Sequence, residues 1–460
     1  MTTDTICAIS TPAGVGGIAV ARVSGPEAIA IVDSLWRGKS LAKADSHTAH
    51  LGTITGTDGA MLDQAVATVF RSPRSFTGED VVELSVHGSR WIQRELIATL
   101  CKAGCRLAEP GEYTRRAFAS GRLDLAEAEG VADMIAANSR AAHRAAATQM
   151  RGHYSRYLVD MRSQLIDLAS LIELELDFGE EEVEFASRQQ LRDTADSLYA
   201  SLVRLRDSFA SGSAIKEGIP VAIVGPTNAG KSSLLNALTH DDRAIVSDIH
   251  GTTRDVVDDL VEIGDYQFRF QDTAGLRTTD DSIERIGIER SINAARRAHV
   301  IIYMIDATSP RQALDNLADT LSLNTDAAVI LALNKTDIAP ESDVATLSAR
   351  LKADYPQATV VPISTRKAAT IEALSDTITG LIDAEQAESD LLVTNARHAQ
   401  ALGQAAEAID CVRTGLATNL SGDLIAQDIR ETIHHLSTIT GSITTDDLLA
   451  TIFTRFCIGK

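Results

Sequence analysis

Proline is absent from two long parts of this 460-residue chain, between Pro110 and Pro220 and after Pro362. Because proline removes a helical hydrogen bond, its absence permits long uninterrupted helices. Both parts are rich in Ala, Leu, Glu and Arg, with apolar residues recurring at three- and four-residue spacing. They are therefore predicted to be helical.

The chain also lacks an uncharged apolar run of about 18 residues, so no membrane-spanning helix is expected. Its first residues, MTTDTICAISTPAGVGG, contain neither a basic segment followed by an apolar block nor an Arg-rich amphipathic stretch. No export or transit signal is therefore predicted. The expected location is the cytoplasm.

Cysteine is scarce, and the five residues are scattered: Cys7, Cys101, Cys105, Cys411 and Cys457. An odd, scattered set is typical of reduced thiols rather than of a disulfide framework. Cys101 and Cys105 stand one helical turn apart and are predicted to be core thiols, since no second Cys or His pair lies nearby for a metal.

Basic residues are outnumbered, with 43 Lys and Arg against 63 Asp and Glu and a net charge of -20. This balance argues against broad nonspecific binding to nucleic acid. Any RNA contact would need a local basic patch or a basic partner.

The domain organisation is predicted from changes in the pattern of apolar and polar residues along the chain. In residues 217–384, short apolar runs such as VAIVG and HVIIYMID alternate with helix-length polar stretches, the pattern of a parallel α/β sheet. Helical stretches on both sides, 121–216 and 385–460, predict that this α/β domain is inserted into a helical domain. Residues 1–120 mix strand-like runs with a helix near 91–103 and predict a separate α+β domain.

One segment of the α/β part has the pattern of a phosphate-binding P-loop. GPTNAGKS, residues 225–232, follows the apolar VAIV and precedes the helical LLNAL, the context that GxxxxGK[ST] requires. Its glycines let backbone N–H groups close around phosphates, Lys231 reaches the β and γ phosphates, and Ser232 can ligate Mg2+.

Further segments, in the expected order, indicate that the nucleotide is GTP. In DTAG, Asp272 is expected to hold Mg2+ through water, and the Gly275 N–H to meet the γ phosphate. In NKTD, Asp337 can accept hydrogen bonds from guanine N1–H and the 2-amino group, donors that adenine lacks in that arrangement. STR, residues 364–366, can close over guanine O6, and Thr253 of GTTRD can complete the Mg2+ shell.

Together these separate segments predict one set of GTP-binding residues. They are Asn228, Ala229, Gly230, Lys231, Ser232, Ser233, Ser247, Asp248, Ile249, His250, Gly251, Thr252, Thr253, Asp272, Thr273, Ala274, Gly275, Asn334, Lys335, Asp337, Ser364, Thr365 and Arg366.

One position departs from many GTPases: Leu276, directly after DTAG, stands where a water-orienting glutamine is common. Leucine cannot hydrogen-bond a water, so catalysis requires a polar group from another position. Arg254, Arg277 and Glu284 lie in or beside the two switch segments and are the candidates.

The whole chain resembles the tRNA-modification GTPases of the MnmE (TrmE) family. Matching pieces lie far apart: TPAGVGGIAVARVSG near the start, SFTGEDVVELSVHG at 75–88, PGEYTRRAFASGRLDLAEAEGVADMI at 110–135, the G domain, and the terminal FCIGK. A single-domain GTPase relative would match only the middle.

The resemblance implies an N-terminal tetrahydrofolate-binding, aminomethyltransferase-like domain through which the protein dimerises. Its folate contacts would be Arg22, Glu83, Arg122 and Lys460, with 5,10-methylene- or 5-formyl-tetrahydrofolate as the ligand. The family often has lysine at the position of Arg122, and an ordinary Arg22–Glu83 ion pair is the alternative interpretation. Cys457 is either a reactive thiol or a buried cysteine at a helix end.

For hydrolysis, the resemblance assigns the missing catalytic role to Glu284, acting through water, with Arg277 as a switch-stabilising or dimer contact. K+ would replace an arginine finger. Its ligands would be Asn228, Ser247, Ile249 and Thr252. Family members commonly have proline directly before this asparagine, whereas here Thr227 precedes it and proline stands at 226.

These inferences combine into one functional hypothesis: a homodimeric, K+-activated GTPase. With a flavin-containing partner of the MnmG (GidA) type, which carries FAD and forms a heterotetramer with it, it would install an aminomethyl-type group on C5 of the wobble uridine of certain tRNAs. Two alternatives stay open. One is a regulatory GTPase switch in ribosome assembly, and the other is a folate-dependent transferase whose GTPase is only regulatory.

Overall fold

The computed structural model describes residues 4–177, 188–239, 258–271, 292–386, 391–418, 420–454, 456 and 459. The chain forms two compact units. The first comprises Met1–Ile135, Thr148–Ala195 and Glu407–Lys460, and the second Ala136–Ala147 and Asp196–Ala406.

The first unit begins with a mixed sheet and the helices that cover it. Its elements are β1 (Ile6–Ile9), β2 (Gly16–Ser24), α1 (Ala28–Leu35), β3 (Trp36–Arg37), β4 (Thr48–Thr55), β5 (Met61–Phe70), β6 (Val81–Gly88), α2 (Arg90–Lys102), β7 (Arg106–Leu107) and α3 (Glu112–Ala119). The strand order is β3-β4-β5-β6-β2-β1-β7. Pairing is antiparallel except between β1 and β7.

Buried and exposed residues alternate along the strands, so one face of this sheet is buried. In β5, Asp63, Ala65, Ala67 and Val69 are buried, while the residues between them are at least partly exposed. The buried side chains form a core with α1 and α2. This is the α+β domain that the sequence predicts for the N-terminal part.

The predicted helix near 91–103 is α2. Its N-cap, Ser89, accepts a hydrogen bond from the Ile92 N–H, and its buried face carries Leu96, Thr99 and Leu100. The first turns of α2 therefore stand at the end of β6, with the helix packed down onto the sheet.

Long helices make up most of the rest of the chain outside the α/β part. They are α4 (Leu125–Ala136), α5 (Arg140–Met150), α6 (His153–Asp177), α7 (Arg188–Asp207), α13 (Ala396–Thr418), α14 (Gly422–Thr440) and α15 (Asp446–Phe453). Within the first unit α14 packs along α6, and Arg430 pairs with Glu173 across them. Helices from both sides of the α/β part thus pack together, as the two proline-free stretches predict.

A tight contact fixes the end of α14. Gly441, with φ of 81°, follows the helix in the left-handed conformation, and a Cβ there would lie 2.8 Å from the Leu125 Cβ. Leu125 in turn belongs to a small core with Phe453 and Phe456. This core holds the C-terminal segment in the first unit.

The second unit contains the predicted α/β sheet. Its elements are α8 (Phe209–Glu217), β8 (Ile219–Val224), α9 (Lys231–Thr239), β9 (Asp259–Ile263), β10 (Tyr266–Phe270), β11 (Val300–Asp306), α10 (Arg311–Leu321), β12 (Ala328–Asn334), α11 (Glu341–Asp354), β13 (Thr359–Pro362) and α12 (Ala368–Gln386). The strand order is β13-β12-β11-β8-β10-β9, and every pairing is parallel except that of β9 with β10. The mostly parallel, doubly wound sheet is as predicted.

Both faces of this sheet are buried, each under its own core. Strand β11, VIIYMID, is buried from Val300 through Ile305, which explains its uninterrupted apolar sequence. Among the described residues, no helix is long and apolar enough to cross a membrane.

Candidate nucleotide-binding site

The P-loop lies between the end of β8 at Val224 and the start of α9 at Lys231. Gly225 and Gly230 both have positive φ, 137° and 102°. A Cβ on Gly225 would lie 2.5 Å from the Met304 carbonyl oxygen, and one on Gly230 would lie 2.2 Å from Asn334 Nδ2. Glycine is required at both positions by conformation and by space.

Lys231 is the first residue of α9, and its side chain folds back over the loop. Nζ donates hydrogen bonds to the carbonyl oxygens of Gly225 at 2.9 Å and Pro226 at 2.8 Å. Burial lowers the pKa of Lys231. The ammonium group therefore stands inside the loop, beside the N-terminus of a helix, where a phosphate is electrostatically favoured.

Asn334 joins the P-loop to the predicted base-binding segments. It ends β12, is buried, and donates from Nδ2 to the Ala229 carbonyl oxygen at 2.8 Å. Its Oδ1 accepts from the Thr365 N–H at 3.3 Å. One amide side chain thus fixes the P-loop and the loop at 364–366 relative to each other.

The carboxylate of Asp337 lies where both base-side segments meet. Its Oδ1 accepts from Ser364 Oγ at 2.9 Å, and Arg366 lies 3.8 Å from Oδ2. The Ser364 hydrogen bond lowers the pKa of Asp337, with Arg366 and Lys367 adding to this effect. Asp337 is therefore ionised and oriented, as an acceptor for the two guanine donors must be.

Asp306 is a site residue that the sequence reasoning missed. Lys335, with φ of 65°, donates from Nζ to Asp306 Oδ2 at 2.5 Å. Burial alone would raise the pKa of Asp306, but the hydrogen bonds from Lys335 and Thr308 outweigh it and lower the pKa. The parallel register that pairs Asp306 with Asn334 could have revealed this, since both residues end their strands at one edge.

The structure therefore brings together the P-loop residues 228–233, the NKTD segment and residues 364–366. The other predicted site residues of this part lie outside the described residues: Ser247, Asp248, Ile249, His250, Gly251, Thr252, Thr253, Asp272, Thr273, Ala274, Gly275, Arg277 and Glu284. Their roles stay predictions.

A second cluster contains the predicted folate contacts of the N-terminal domain. Arg22 on β2 and Glu83 on β6 face each other across the sheet and form an ion pair, with Nη2 and Oε1 separated by 2.8 Å. The Arg22 guanidinium lies 5.2 Å from the Phe76 ring and 5.5 Å from the Tyr113 ring. The two aromatic rings, which the sequence reasoning did not single out, hold the guanidinium by cation–π contact.

The C-terminal tail reaches β1 of the same unit. Ser10 Oγ donates to the Gly459 carbonyl oxygen at 3.0 Å, and a Cβ on Gly459 would lie 2.3 Å from the Ile9 carbonyl oxygen. Arg122 is exposed, and its Cγ would lie 3.1 Å from a Cβ on Gly78. Lys460 and Cys457 lie outside the described residues.

Three cysteines form a thiol cluster that spacing alone does not predict. Cys7 Sγ on β1 lies 3.9 Å from Cys101 Sγ on α2. Cys105 is buried and hydrogen-bonded to Cys7, and this bond together with burial raises the pKa of Cys7. Burial raises the pKa of Cys101 to about 11. Cys7 and Cys101 are therefore protonated at neutral pH, consistent with core thiols.

The fold and this geometry define a class: a P-loop protein with a buried asparagine and an oriented aspartate where the sequence predicts the guanine site. Family models agree with this class. The model described as the MnmE helical domain matches residues 125–457, and that of the GTP-binding protein TrmE N-terminus matches residues 5–122.

Curated relatives match along the whole chain. The tRNA modification GTPase MnmE of Parabacteroides distasonis is 49% identical over 99% of this chain and 100% of that protein. The protein of the same name from Bacteroides thetaiotaomicron is 45% identical over 100% of both. The chain belongs to the MnmE family of tRNA-modification GTPases.

Among solved structures, the G domain of the T. maritima FeoB iron transporter is 26% identical and covers 35% of this chain and 97% of that chain. The TM-score between the two chains is 0.26.

Proposed function

We propose that this protein hydrolyses GTP and, with a flavin-containing partner of the MnmG (GidA) type, modifies C5 of the wobble uridine in certain tRNAs. GTP hydrolysis is supported by one observation: Asn334 forms hydrogen bonds both to the P-loop and to the loop beside Asp337. Membership of the MnmE family carries the tRNA half. A tRNA substrate also favours a cytoplasmic location.

The phosphate side of the site fits a magnesium nucleotide. Lys231 already directs its ammonium into the loop, and Ser232 follows it in the first turn of α9, where its hydroxyl can ligate Mg2+. Thr253 and Asp272 would complete the shell. Bound Mg2+ would neutralise phosphate charge. This chain's own contribution is to hold the β and γ phosphates with backbone N–H groups and with Lys231.

Asn228 is the proposed K+ ligand within the described residues. It is exposed and held at φ of 64°, in the left-handed region, between Thr227 and the buried Ala229. An amide oxygen at this position, with oxygens of Ser247, Ile249 and Thr252, forms the donor set that a monovalent cation needs. K+ would supply the positive charge that an arginine finger supplies elsewhere.

The remaining catalytic assignments concern the switch segments. Glu284 is proposed to orient the attacking water, because Leu276 cannot, and Arg277 to stabilise the ordered switch or a dimer contact. Both assignments rest on family membership and on the polarity of these side chains.

The N-terminal cluster supports a folate site. Arg22, stacked between Phe76 and Tyr113, and Glu83 beside it offer a cation, a carboxylate and aromatic surface, groups that suit a pterin ring and its polar edge. Arg122 and Lys460 would contact the same ligand, and the position of Gly459 against Ile9 brings the tail towards this domain. A methylene- or formyl-bearing tetrahydrofolate would supply the transferred carbon, and Cys457 is a proposed thiol near it.

An exposed apolar strip on the N-terminal sheet supports a homodimer. Leu51 on β4 is directly opposite Val66 on β5, and their side chains are 67% and 37% exposed. Larger contiguous exposed apolar patches mark protein–protein interaction sites. We therefore propose that this face belongs to the dimer interface, with FAD carried by the flavin partner in a heterotetramer.

The GTP part is tested by steady-state GTP hydrolysis of the purified protein in KCl and in NaCl at matched ionic strength. We expect strong K+ dependence that Asn228→Ala abolishes, and slow hydrolysis by Glu284→Ala even in K+. Equal, slow rates of the wild type in both salts would refute the cation-assisted mechanism.

A further inference from the structure

Asp306 stands at the carboxyl edge of the parallel sheet, beside the predicted nucleotide site. Strand β11 ends at Asp306 and strand β12 at Asn334, and the register pairs these two residues. The Ala307 N–H donates to the Asn334 carbonyl oxygen at 3.0 Å, which continues the pairing one residue beyond β11. On its other side β11 pairs with β8, which leads into the P-loop. Asp306 therefore lies between the P-loop and the NKTD segment.

The carboxylate of Asp306 is bonded at both oxygens. Oδ1 accepts from the Thr308 N–H at 2.9 Å and from Thr308 Oγ1 at 2.7 Å. Oδ2 accepts from Lys335 Nζ at 2.5 Å, and the Asp306 side chain is 17% exposed. The turn after β11 thus fixes the orientation of the carboxylate, and the carboxylate in turn fixes the position of the Lys335 ammonium group.

The backbone of Lys335 is also fixed. Its φ of 65° lies in the left-handed region, which residues with a Cβ rarely adopt. The Lys335 carbonyl oxygen accepts from the N–H groups of Ile338 and Ala339, each at 3.1 Å. Hydrogen bonds therefore hold the lysine at both ends, at its backbone and at its ammonium group.

Between these two ends, the Lys335 side chain crosses the edge of the sheet. It starts directly after β12 and ends beside the last residue of β11, the neighbouring strand about 4.8 Å away. Asp337 lies on the other side of β12, since it is bonded to Ser364 after β13. The P-loop follows β8, on the far side of β11. A nucleotide with its phosphates in the P-loop and its base at Asp337 would therefore pass over the Lys335 side chain.

We propose that Asp306 is a positioning residue for nucleotide binding: its ion pair holds the methylene stem of Lys335 as a fixed apolar support under the nucleoside. Lysine stems readily cover apolar surface while the ammonium group stays solvated or paired. Asp306 acts through the lysine, because its own oxygens are bonded to Lys335 and Thr308. A support that is ordered before the ligand arrives lowers the entropic cost of binding. This inference rests on the proposed function and adds to the GTP site a residue outside its sequence motifs.

The first test is equilibrium titration of the full-length protein with fluorescent analogues of GTP and GDP. Asp306→Asn removes the negative charge and keeps the shape of the side chain, and it should raise the Kd about tenfold, as expected when a hydrogen bond to a charged group is weakened. The increase should be the same for GTP and GDP, because they share the nucleoside. In steady-state hydrolysis KM should rise with kcat unchanged, because the support acts equally in the ground state and the transition state.

The matched control is Asp354→Asn. Asp354 is the last residue of α11, at the opposite edge of the same sheet, and pairs with Arg350 at 3.3 Å. This variant should keep the wild-type Kd. Thr308→Val removes one hydrogen bond to Asp306 at an exposed position and should raise the Kd about two- to tenfold. If Asp306→Asn does not fold, Thr308→Val provides the same comparison.

A double-mutant cycle separates positioning of the lysine from a structural role at the end of β11. Lys335→Met keeps an unbranched apolar stem and removes the ammonium group. If Asp306 acts through Lys335, adding Asp306→Asn to Lys335→Met should cause no further increase in Kd. A structural role would produce the same increase in both backgrounds. Thermal unfolding without nucleotide confirms that each compared variant is folded.

Three results would overturn the inference: a wild-type Kd for Asp306→Asn or, in its place, for Thr308→Val; an equal effect of Asp306→Asn with and without Lys335→Met; or an equal loss of affinity in Asp354→Asn. Failure of the proposed function is a separate result. A folded wild type that binds neither the GTP nor the GDP analogue refutes the GTP site itself. A wild type that binds both, with Asp306→Asn binding them equally well, refutes the positioning role alone.

Discussion

At the scale of single residues, the nucleotide site depends on one buried amide. Asn334 contacts the backbone of two loops far apart in sequence, the P-loop at Ala229 and the 364–366 loop at Thr365. We therefore infer that Asn334 positions the two loops relative to each other.

Asn334→Ala should weaken GTP binding by at least about tenfold, because the buried Ala229 carbonyl and the partly buried Thr365 N–H lose their partner at roughly 1–3 kcal/mol each. The control is Asn324→Ala, which removes an amide bonded to the Ala298 carbonyl oxygen away from the nucleotide site. Titration with a fluorescent GTP analogue measures both. Equal affinities for the two variants would contradict the positioning role.

A second residue-scale prediction concerns acid stability of the N-terminal domain. Buried Glu112 accepts hydrogen bonds from Arg106 at 2.6 Å and Arg116 at 3.0 Å. Burial alone would raise the pKa of Glu112, but these bonds lower it below its usual 4.5. A lowered folded-state pKa stabilises the fold above the unfolded-state pKa, and this contribution is lost as pH falls through the folded-state value.

Glu112→Gln should therefore reduce the free energy of unfolding by about 1.5–3 kcal/mol at pH 7. The difference from wild type should shrink as pH falls below about 4. Urea unfolding followed by tryptophan fluorescence measures this domain specifically, since Trp36 and Trp91 both lie in it. If the difference in free energy of unfolding between Glu112→Gln and the wild type grew on acidification, the predicted pH dependence would be contradicted.

At the scale of elements, two helical glycines should respond to alanine in opposite directions. A Cβ on Gly212 of α8 would lie 2.2 Å from the Val393 carbonyl oxygen, whereas one on Gly380 of α12 meets nothing within 4 Å. Gly212→Ala should destabilise the second unit by about 1–3 kcal/mol. Gly380→Ala should stabilise it by about 0.4–1 kcal/mol.

Thermal unfolding of the full chain followed by circular dichroism compares these variants directly. If both glycine substitutions change the unfolding temperature in the same direction, the close contact between α8 and Val393 does not determine the effect of alanine at position 212.

The elements also show which features of the structure can be predicted from the sequence. Motifs whose members are close in sequence are fixed by local conformation, and the strand and helix that flank the P-loop, β8 and α9, lie where the sequence predicts them. Contacts set by tertiary packing were not predicted: the Phe76 and Tyr113 rings around Arg22, and the approach of Cys7 to Cys101. The Asp306–Lys335 pair is intermediate, since it follows once strand register is known.

At the scale of the whole molecule, the proposed dimer predicts a specific sensitivity. Leu51→Asp should increase the dissociation constant of the homodimer by roughly tenfold or more, because a charge would be buried in an apolar contact. Ile338→Asp, at a side chain 64% exposed in the second unit, is the control. Light scattering over a range of protein concentrations measures the dissociation constant of each homodimer. A Leu51→Asp protein that dimerises like the control would place the interface elsewhere.

The proposed function requires a GTP site in one unit and a folate site in the other. The most direct test measures modified wobble uridine by mass spectrometry of tRNA nucleosides. The tRNA comes from cells that lack their own enzyme of this type and express this chain, Lys231→Ala or Arg22→Ala. We expect the wild type to restore the aminomethyl-type nucleoside and each variant, although folded, not to restore it. Full restoration by Lys231→Ala would contradict the claim that GTP hydrolysis at this site drives the modification.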